Sequence, residues 1–436
     1  MPCRDIMYAS PADWPALGRW LAGRENPDQA VEDRVKAIIA AVAEEGDAAL
    51  ARYTATFDCP GFTPDMLAVP VADIRAAAAA VPAADMAILR EAAHNIRVFH
   101  EAQVQQSWWT TREDGTVLGQ IVRPVDRVGL YVPGGQGGET PLISSLLMNA
   151  IPAQVAGVRS IALVSPPRKD GTLNPYILAA ADLLGITEIY RAGSAWSVAA
   201  LAVGTQSIAP VDVIAGPGNI YVATAKRLLS GKVGIDMIAG PSEIAIVADG
   251  SVPAACLAAD MLSQAEHDPQ ASSILITTDP AVATGVRAAL LEQLEHLPRN
   301  DIARRALADW GGVAVVADLA TAIELVNRLA PEHLELALAD PWSALGSIRN
   351  AGAIFMGANA PEPVGDYFAG PNHVLPTMGT ARFSSALSVE TFCKKSSVVA
   401  TSPAFLAAHG AKIARLARLE GLEAHARSVE SRGLDT

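Results

Sequence analysis

From Arg127 onward the sequence alternates short, mostly apolar runs with longer alanine-rich stretches of helical spacing, and this alternation limits the folds open to the chain. Residues 128–132, 161–164, 188–190 and 211–214 make one series of such runs. Residues 244–247, 274–277, 313–316, 334–338 and 353–356 make a second. A run that is apolar on successive residues is a strand covered on both faces, and strands separated by helical segments, such as 145–156 and 321–329, pair in parallel. Two series predict two Rossmann-like α/β domains, 123–238 and 239–380. Ahead of them, 1–122 reads as a mainly helical region. Within it, 35–42 and 84–104 carry helical apolar spacing, and Asp114-Gly115 marks a hairpin between Trp108 and Val122. Residues 381–436 read as an arm, helix 403–419 followed by a polar tail. The tail has too little apolar surface to fold alone and is expected to pack on the body or on a partner subunit.

Composition narrows the function classes. The chain has 436 residues, too many for one ordinary core. Half of them are hydrophobic and 18% charged, which excludes wholesale disorder. A net charge of −13, with no Lys/Arg run to offset it, repels phosphate backbones, so no nucleic-acid partner is expected. Cys3, Cys59, Cys256 and Cys393 lie far apart and form no CxxC pair, which argues against a disulfide framework and a cysteine zinc knuckle. No secretory pattern opens the sequence and no run of about 18 apolar residues occurs, so a cytoplasmic protein without a membrane span is expected.

Two glycine-rich turns follow predicted strands, Pro133-Gly-Gly-Gln-Gly-Gly138 and Gly216-Pro-Gly-Asn219. Glycines there allow close backbone approach, and the helix N-terminus behind each turn attracts phosphate. Neither is a true GxGxxG, because Thr140 and Tyr221 take the last glycine position, and each also reads as a plain structural connection. A third turn, Gly240-Pro-Ser-Glu243, places the Ser242 hydroxyl before a strand or serves only as a turn.

Polar groups interrupt the apolar pattern at four places. The helix from Ala254 ends in Ser263-Gln-Ala-Glu-His267, with Gln264 and His267 on one face. Spacing alone favours Glu266 or Asp260 over Gln264 as a metal partner of His267, since Gln is a rare zinc ligand; a lone His there also reads as a helix cap. Glu332 and His333 stand together before the apolar run 334–338, where burial can move both pKa values towards neutral. The loop Gly365-Asp-Tyr-Phe-Ala-Gly-Pro-Asn-His373 offers Asp366 as an oxygen ligand and His373 as ligand, base or loop-satisfied side chain. Glu420 and His425, in Leu419-Glu-Gly-Leu-Glu-Ala-His425, read by themselves as part of a surface tail.

Taken together, these segments resemble the histidinol dehydrogenase family. The resemblance rests on Gly129-Leu-Tyr-Val-Pro-Gly-Gly135, Gly216-Pro-Gly-Asn219, Ala239-Gly-Pro-Ser-Glu243, Leu262-Ser-Gln-Ala-Glu-His267, Ala330-Pro-Glu-His333, Gly365-Asp366 through Asn372-His-Val-Leu-Pro376, and Glu420-Gly-Leu-Glu-Ala-His425. They occur in the family's order from about residue 125 to 425, and residues 1–120 carry no such motif. The resemblance implies an aldehyde-dehydrogenase-like pair of Rossmann-like domains and a homodimer with one zinc ion per active site. It implies Gln264, His267 and Asp366 as ligands, with His425 reaching in from the other subunit. It further implies Ser242, Gln264, His267, His333, Asp366, Glu420 and His425 around the substrate, Glu332 and His333 as the catalytic pair, and Tyr131 and Asn219 as NAD contacts. Trp196 stands at a third NAD position, where the family pattern has Gln; an indole can stack or donate but cannot accept a hydrogen bond. The implied reaction is the four-electron, NAD-linked oxidation of L-histidinol to L-histidine. The rival readings are a dehydrogenase of the same scaffold acting on another small polar alcohol, such as a sulfonated diol, and a non-catalytic metal-binding relative.

Overall fold

The computed structural model describes residues 3–24, 29–134 and 141–432, so most of the turn after Pro133 and the loop through Thr140 lie outside the described residues. The chain divides into two units. One combines Met1–Gln103 with Asp126–Phe392, and the other combines Val104–Val125 with Cys393–Thr436. Among the described residues the strands are β1 (Arg4–Ile6), β2 (Trp108–Thr111), β3 (Val117–Pro124), β4 (Arg127–Tyr131), β5 (Ser160–Ser165), β6 (Glu188–Arg191), β7 (Val213–Ala215), β8 (Gly234–Ile235), β9 (Glu243–Ala248), β10 (Ser272–Thr277), β11 (Gly311–Val315), β12 (His333–Ala337), β13 (Ala353–Met356) and β14 (Cys393–Ala400).

Both predicted strand series form parallel sheets in the larger unit. The first has the order β6-β5-β4-β7-β8; the second has β11-β10-β9-β12-β13, with β1 added at the β11 edge. The winding is the same in both, out along three strands and then back past the first to the other side. Each sheet therefore has a switch point, between β4 and β7 and between β9 and β12, where the chain reverses direction across the sheet. Central strands such as β4, β5, β9 and β10 are buried along most of their length, which is why they are mostly apolar.

The N-terminal helical residues do not stand apart as a body of their own. Helices Gln29–Glu45 and Asp47–Phe57 cover one face of the first sheet, packing Val35, Ile38, Val42 and Leu50 into a core with Tyr131, Val164 and Trp196. Helix Ala83–Glu101 lies against helix Ile143–Ala156 on the other face. Strand β1 and helix Trp14–Ala22 belong to the second sheet. This distribution is invisible in the sequence because helical periodicity shows that a face is buried and not which surface buries it.

The smaller unit contains the expected hairpin, β2 with β3, and extends it. Strand β14 pairs antiparallel with β3 from Val117↔Ala400 to Pro124↔Cys393, giving the order β14-β3-β2. The tail thus contributes a strand and two helices, Pro403–Leu419 and Glu423–Glu430. Among the described residues no helix is long and apolar enough to cross a membrane.

Two backbone features place the functional turns. Gly216 has φ 128°, and a Cβ on it would lie 2.0 Å from the carbonyl oxygen of Tyr131, so only glycine lets β7 leave its sheet this close to β4. Helix Leu319–Leu329 ends on Ala330 in the left-handed conformation (φ 47°), a place that suits glycine; the reversal feeds Pro331 and Glu332 into β12 at a strain of about 1–2 kcal/mol.

Asp58, at the end of helix Asp47–Phe57, has a carboxylate oxygen buried without a hydrogen-bond partner, and burial raises its pKa to about 6. A carboxyl raised on folding stabilises the protein below its unfolded value near 3.8 and loses that contribution as pH climbs through 6. Asp58→Asn is therefore expected to stabilise the protein by about 1–3 kcal/mol at pH 8, with the gain narrowing towards pH 5. Thermal melts of both proteins across that range check this; a gain independent of pH would contradict it.

Candidate active site

The amino-terminal edge of the second sheet gathers most of the polar residues singled out in the sequence. β9 and β12 are neighbours with His333 opposite Ile244, so Glu332 and His333 enter the sheet beside the peptide of Glu243. The Glu243 N–H donates to Glu332 Oε2 (2.8 Å), and the Glu243 carbonyl lies 3.0 Å from His333 Nδ1. That second contact keeps the proton of a neutral ring on Nδ1 and leaves the Nε2 lone pair open. Close packing fixes the pair from the other side, because a Cβ on Gly352 would come within 2.5 Å of the Glu332 carbonyl oxygen.

His333 Nε2 is buried with no hydrogen-bond partner and faces Asp366 Oδ1 at 3.6 Å and Glu362 Oε1 at 3.8 Å. Its Nδ1 lies 3.7 Å from Glu332 Oε2. Burial by itself would lower the His333 pKa, but Glu332, Asp366 and Glu362 together outweigh it and push the value up to about 10. Burial raises Glu332 to about 8 against the pull of His333. Burial would also raise Asp366, yet His333, His373 and His267 hold it below the usual carboxylate range. Three carboxyl groups thus converge on one imidazole away from bulk water, a cluster that a cation would relieve.

The donors fit one. His333, Glu362 and Asp366 offer ligand atoms all within 4.8 Å of one another. Gln264, in the last turn of helix Ala254–Ala265, is fully buried, and neither atom of its amide has a hydrogen-bond partner. Leaving such a group unsatisfied costs about 1–3 kcal/mol, so its oxygen is placed for something beyond the protein. His267 follows in the turn after that helix, exposed, and its charge acts on Glu362 and Asp366. His373 is not free to act as a ligand through Nδ1, which sits 3.0 Å from the Asp366 carbonyl. Of the carboxylates that spacing favoured, Asp260 shares a hydrogen bond with Glu335 instead.

Glu362 escaped the sequence reading. It opens helix Glu362–Tyr367 one turn ahead of Asp366, is buried, and accepts a 3.1 Å hydrogen bond from Ser263. The i, i+4 spacing of Glu362 and Asp366 was the available signal, but two prolines beside Glu362 make the segment read as a loop.

The other expected residues fall elsewhere. Tyr131 ends β4 beneath Gly216, buried, and burial raises its phenol to about 12. Asn219 caps helix Ile220–Leu229 through its side chain and is exposed at the carboxyl edge of the first sheet, at the switch point. Trp196 is 4% exposed; its ring stacks between Tyr53 and Phe57, and its indole N–H donates to Thr54 Oγ1 (3.2 Å). Its indole N–H is thus engaged inside the core and its ring packs on two aromatic side chains of helix Asp47–Phe57. Ser242 precedes β9, with its carbonyl bonded to the Ser272 N–H. Glu420 and His425 are exposed on the smaller unit, at the end of helix Pro403–Leu419 and in helix Glu423–Glu430.

A buried imidazole–carboxylate pair with unpartnered polar donors, on a scaffold of two switch-point sheets, has the parts of an enzyme active site. The histidinol dehydrogenase family model matches residues 22–433. Histidinol dehydrogenases of Oleidesulfovibrio alaskensis and Nitratidesulfovibrio vulgaris are each 66% identical over 432 residues, 99% of this chain and 100% and 99% of theirs. The crystal structure of histidinol dehydrogenase from Elizabethkingia anophelis superposes with a TM-score of 0.92 at 35% identity, covering 99% of this chain and 98% of that one. The chain belongs to the histidinol dehydrogenase family and is an enzyme of the oxidoreductase class.

If the Gln264 amide awaits a ligand, the unliganded protein bears the cost. Gln264→Leu should stabilise chelator-treated protein by about 1–3 kcal/mol while lowering metal content. Denaturant melts and elemental analysis check both; a destabilised, metal-replete variant would remove Gln264 from the ligand set.

Proposed function

We propose that the protein oxidises L-histidinol to L-histidine through the aldehyde, passing one hydride to each of two NAD molecules, as a cytoplasmic homodimer with one zinc ion per site. The observation that carries this reading is the buried Glu332–His333 pair set against the unsatisfied Gln264 amide and Asp366. Ligand roles fall to Gln264, His267 and Asp366, completed by His425 of a second copy. Zinc held there would orient the imidazole and amine of the substrate and supply Lewis acidity. The redox step belongs to the nicotinamide, with Tyr131 and Asn219 as its proposed contacts at the first sheet's switch point.

His333 takes the alcohol proton at Nε2, the nitrogen left open by the Glu243 contact. Charge neutralisation at Asp366 and Glu362 would bring His333 down from its raised pKa into the range of a working base. Glu332 is anchored through one oxygen by the Glu243 N–H and keeps the other for the water that adds to the aldehyde. A carboxyl raised by burial is matched to that proton transfer near neutral pH. Ser242 and Glu420 hold the polar ends of the substrate.

The homodimer is supported by the smaller unit's surface. Trp108, Trp109, Val399, Leu416 and Leu419 are all more than half exposed, an apolar set beside Glu420 that a second copy would cover. Asp366→Ala and His425→Ala should each be inactive alone. Mixed after co-refolding, they should regain about a quarter of wild-type activity, since half the dimers are mixed and each then holds one intact site. No recovery would place His425 in its own subunit's site or outside it.

The test of the reaction is NADH yield from limiting L-histidinol. About two NADH per histidinol, lost on chelation and restored by zinc, is the expected result. No NADH from a folded, zinc-loaded dimer would turn the assignment to another small polar alcohol.

A further inference from the structure

We infer that Arg24, from the N-terminal segment, is a positioning residue for the catalytic pair: its guanidinium sets the turn that aligns Glu332 and His333. This rests on the roles proposed above for those two residues.

Arg24 is 1% exposed, the largest fully buried side chain among the described residues, and its guanidinium reaches the residues beneath the site. Nη1 pairs with Glu243 Oε1 at 2.6 Å. Nη2 donates to the carbonyls of Pro241 (3.0 Å) and Ser242 (3.1 Å). Nε donates to the carbonyl of Gln270 (2.9 Å), in the turn that follows His267. One rigid fork therefore ties together the turn that carries Ser242 and the turn behind the metal-ligand helix.

The key element is the Glu243 peptide. Its N–H orients Glu332 and its carbonyl orients His333, while its side chain and the two residues before it are held by Arg24. Arg24 meets Ser242 only at its backbone carbonyl and has no hydrogen bond to the side chains of Glu332 or His333, so its influence passes through backbone position. A buried, unpaired arginine is costly, and here its charge is matched by Glu243 and its donors by three carbonyls. A lysine keeps the charge but, as a compact point donor, cannot reach all four of these acceptors. Displacements of about 1 Å in catalytic groups reduce rates by about 100-fold.

The test compares wild type, Arg24→Lys and Arg24→Ala, each assayed as zinc-loaded full-length dimer with L-histidinol and NAD. The readouts are kcat per zinc-loaded site, KM for NAD, zinc stoichiometry and melting temperature. Arg24→Lys is expected to lose at least about tenfold in kcat per loaded site, with KM for NAD within about twofold. Arg24→Ala should lose more and recover in part with low-millimolar guanidinium, which refills the fork. A purely structural arginine would lower the melting temperature and leave kcat per loaded site unchanged in Arg24→Lys, and that result overturns the inference. Should Arg24→Ala fail to fold, Arg24→Lys decides alone. Absence of histidinol oxidation by wild type would instead overturn the proposed function beneath it.

Discussion

Parallel pairing of β9 with β12 is the constraint on which the site depends. The register that sets His333 opposite Ile244 leaves the Glu243 backbone between Glu332 and His333, so both side chains are aimed by the N–H and carbonyl of one residue. A slip of one residue would turn both to the wrong face of the sheet. Burial on both faces specifies that register, and everything around the site reinforces it: the close approach of Gly352, the left-handed turn at Ala330 and the Arg24 fork.

The same arrangement makes the site electrostatically incomplete. Glu332, Glu362 and Asp366 share one imidazole, and Gln264 has no partner for either amide atom. Buried carboxylates and an unpartnered amide are costly, and that cost is the one a bound cation would offset. A histidine held protonated by surrounding carboxylates is also a poor base until that field is cancelled, so occupancy of the donors and readiness of His333 are linked through charge.

The first sheet is handled differently. Its switch point is shaped by close packing, with Gly216 against Tyr131 and a buried Lys226–Asp236 ion pair bracing the turn from both ends, Lys226 on the Gly216 carbonyl and Asp236 on its N–H. Asp236 also begins the short connection, 236–242, from β8 to β9, so the brace of the glycine turn and the turn that carries Ser242 lie on one stretch of chain.

Nine strands of the two parallel sheets were legible because a strand buried on both faces is mostly apolar, and that pattern needs no partner to be seen. Strand β14 was not, since its Cys-Lys-Lys-Ser-Ser-Val-Val-Ala run is polar and pairs only at the edge of a small sheet. Local residue patterns marked Glu332, His333, His267 and Asp366, and the family resemblance added Gln264; the i, i+4 signal of Glu362 was masked by its flanking prolines, and Arg24 gave none. The sequence by itself determined the two-sheet fold class and the local chemistry of each turn, because both are written in neighbouring residues. Only the tertiary structure decided that residues 24, 243, 332, 333, 362 and 366 lie together, that Gln264 is buried without a partner, that Trp196 lies in the core, and that 104–125 and 393–436 form one unit. Those outcomes depend on contacts across hundreds of residues, where burial and charge are set by which surfaces meet.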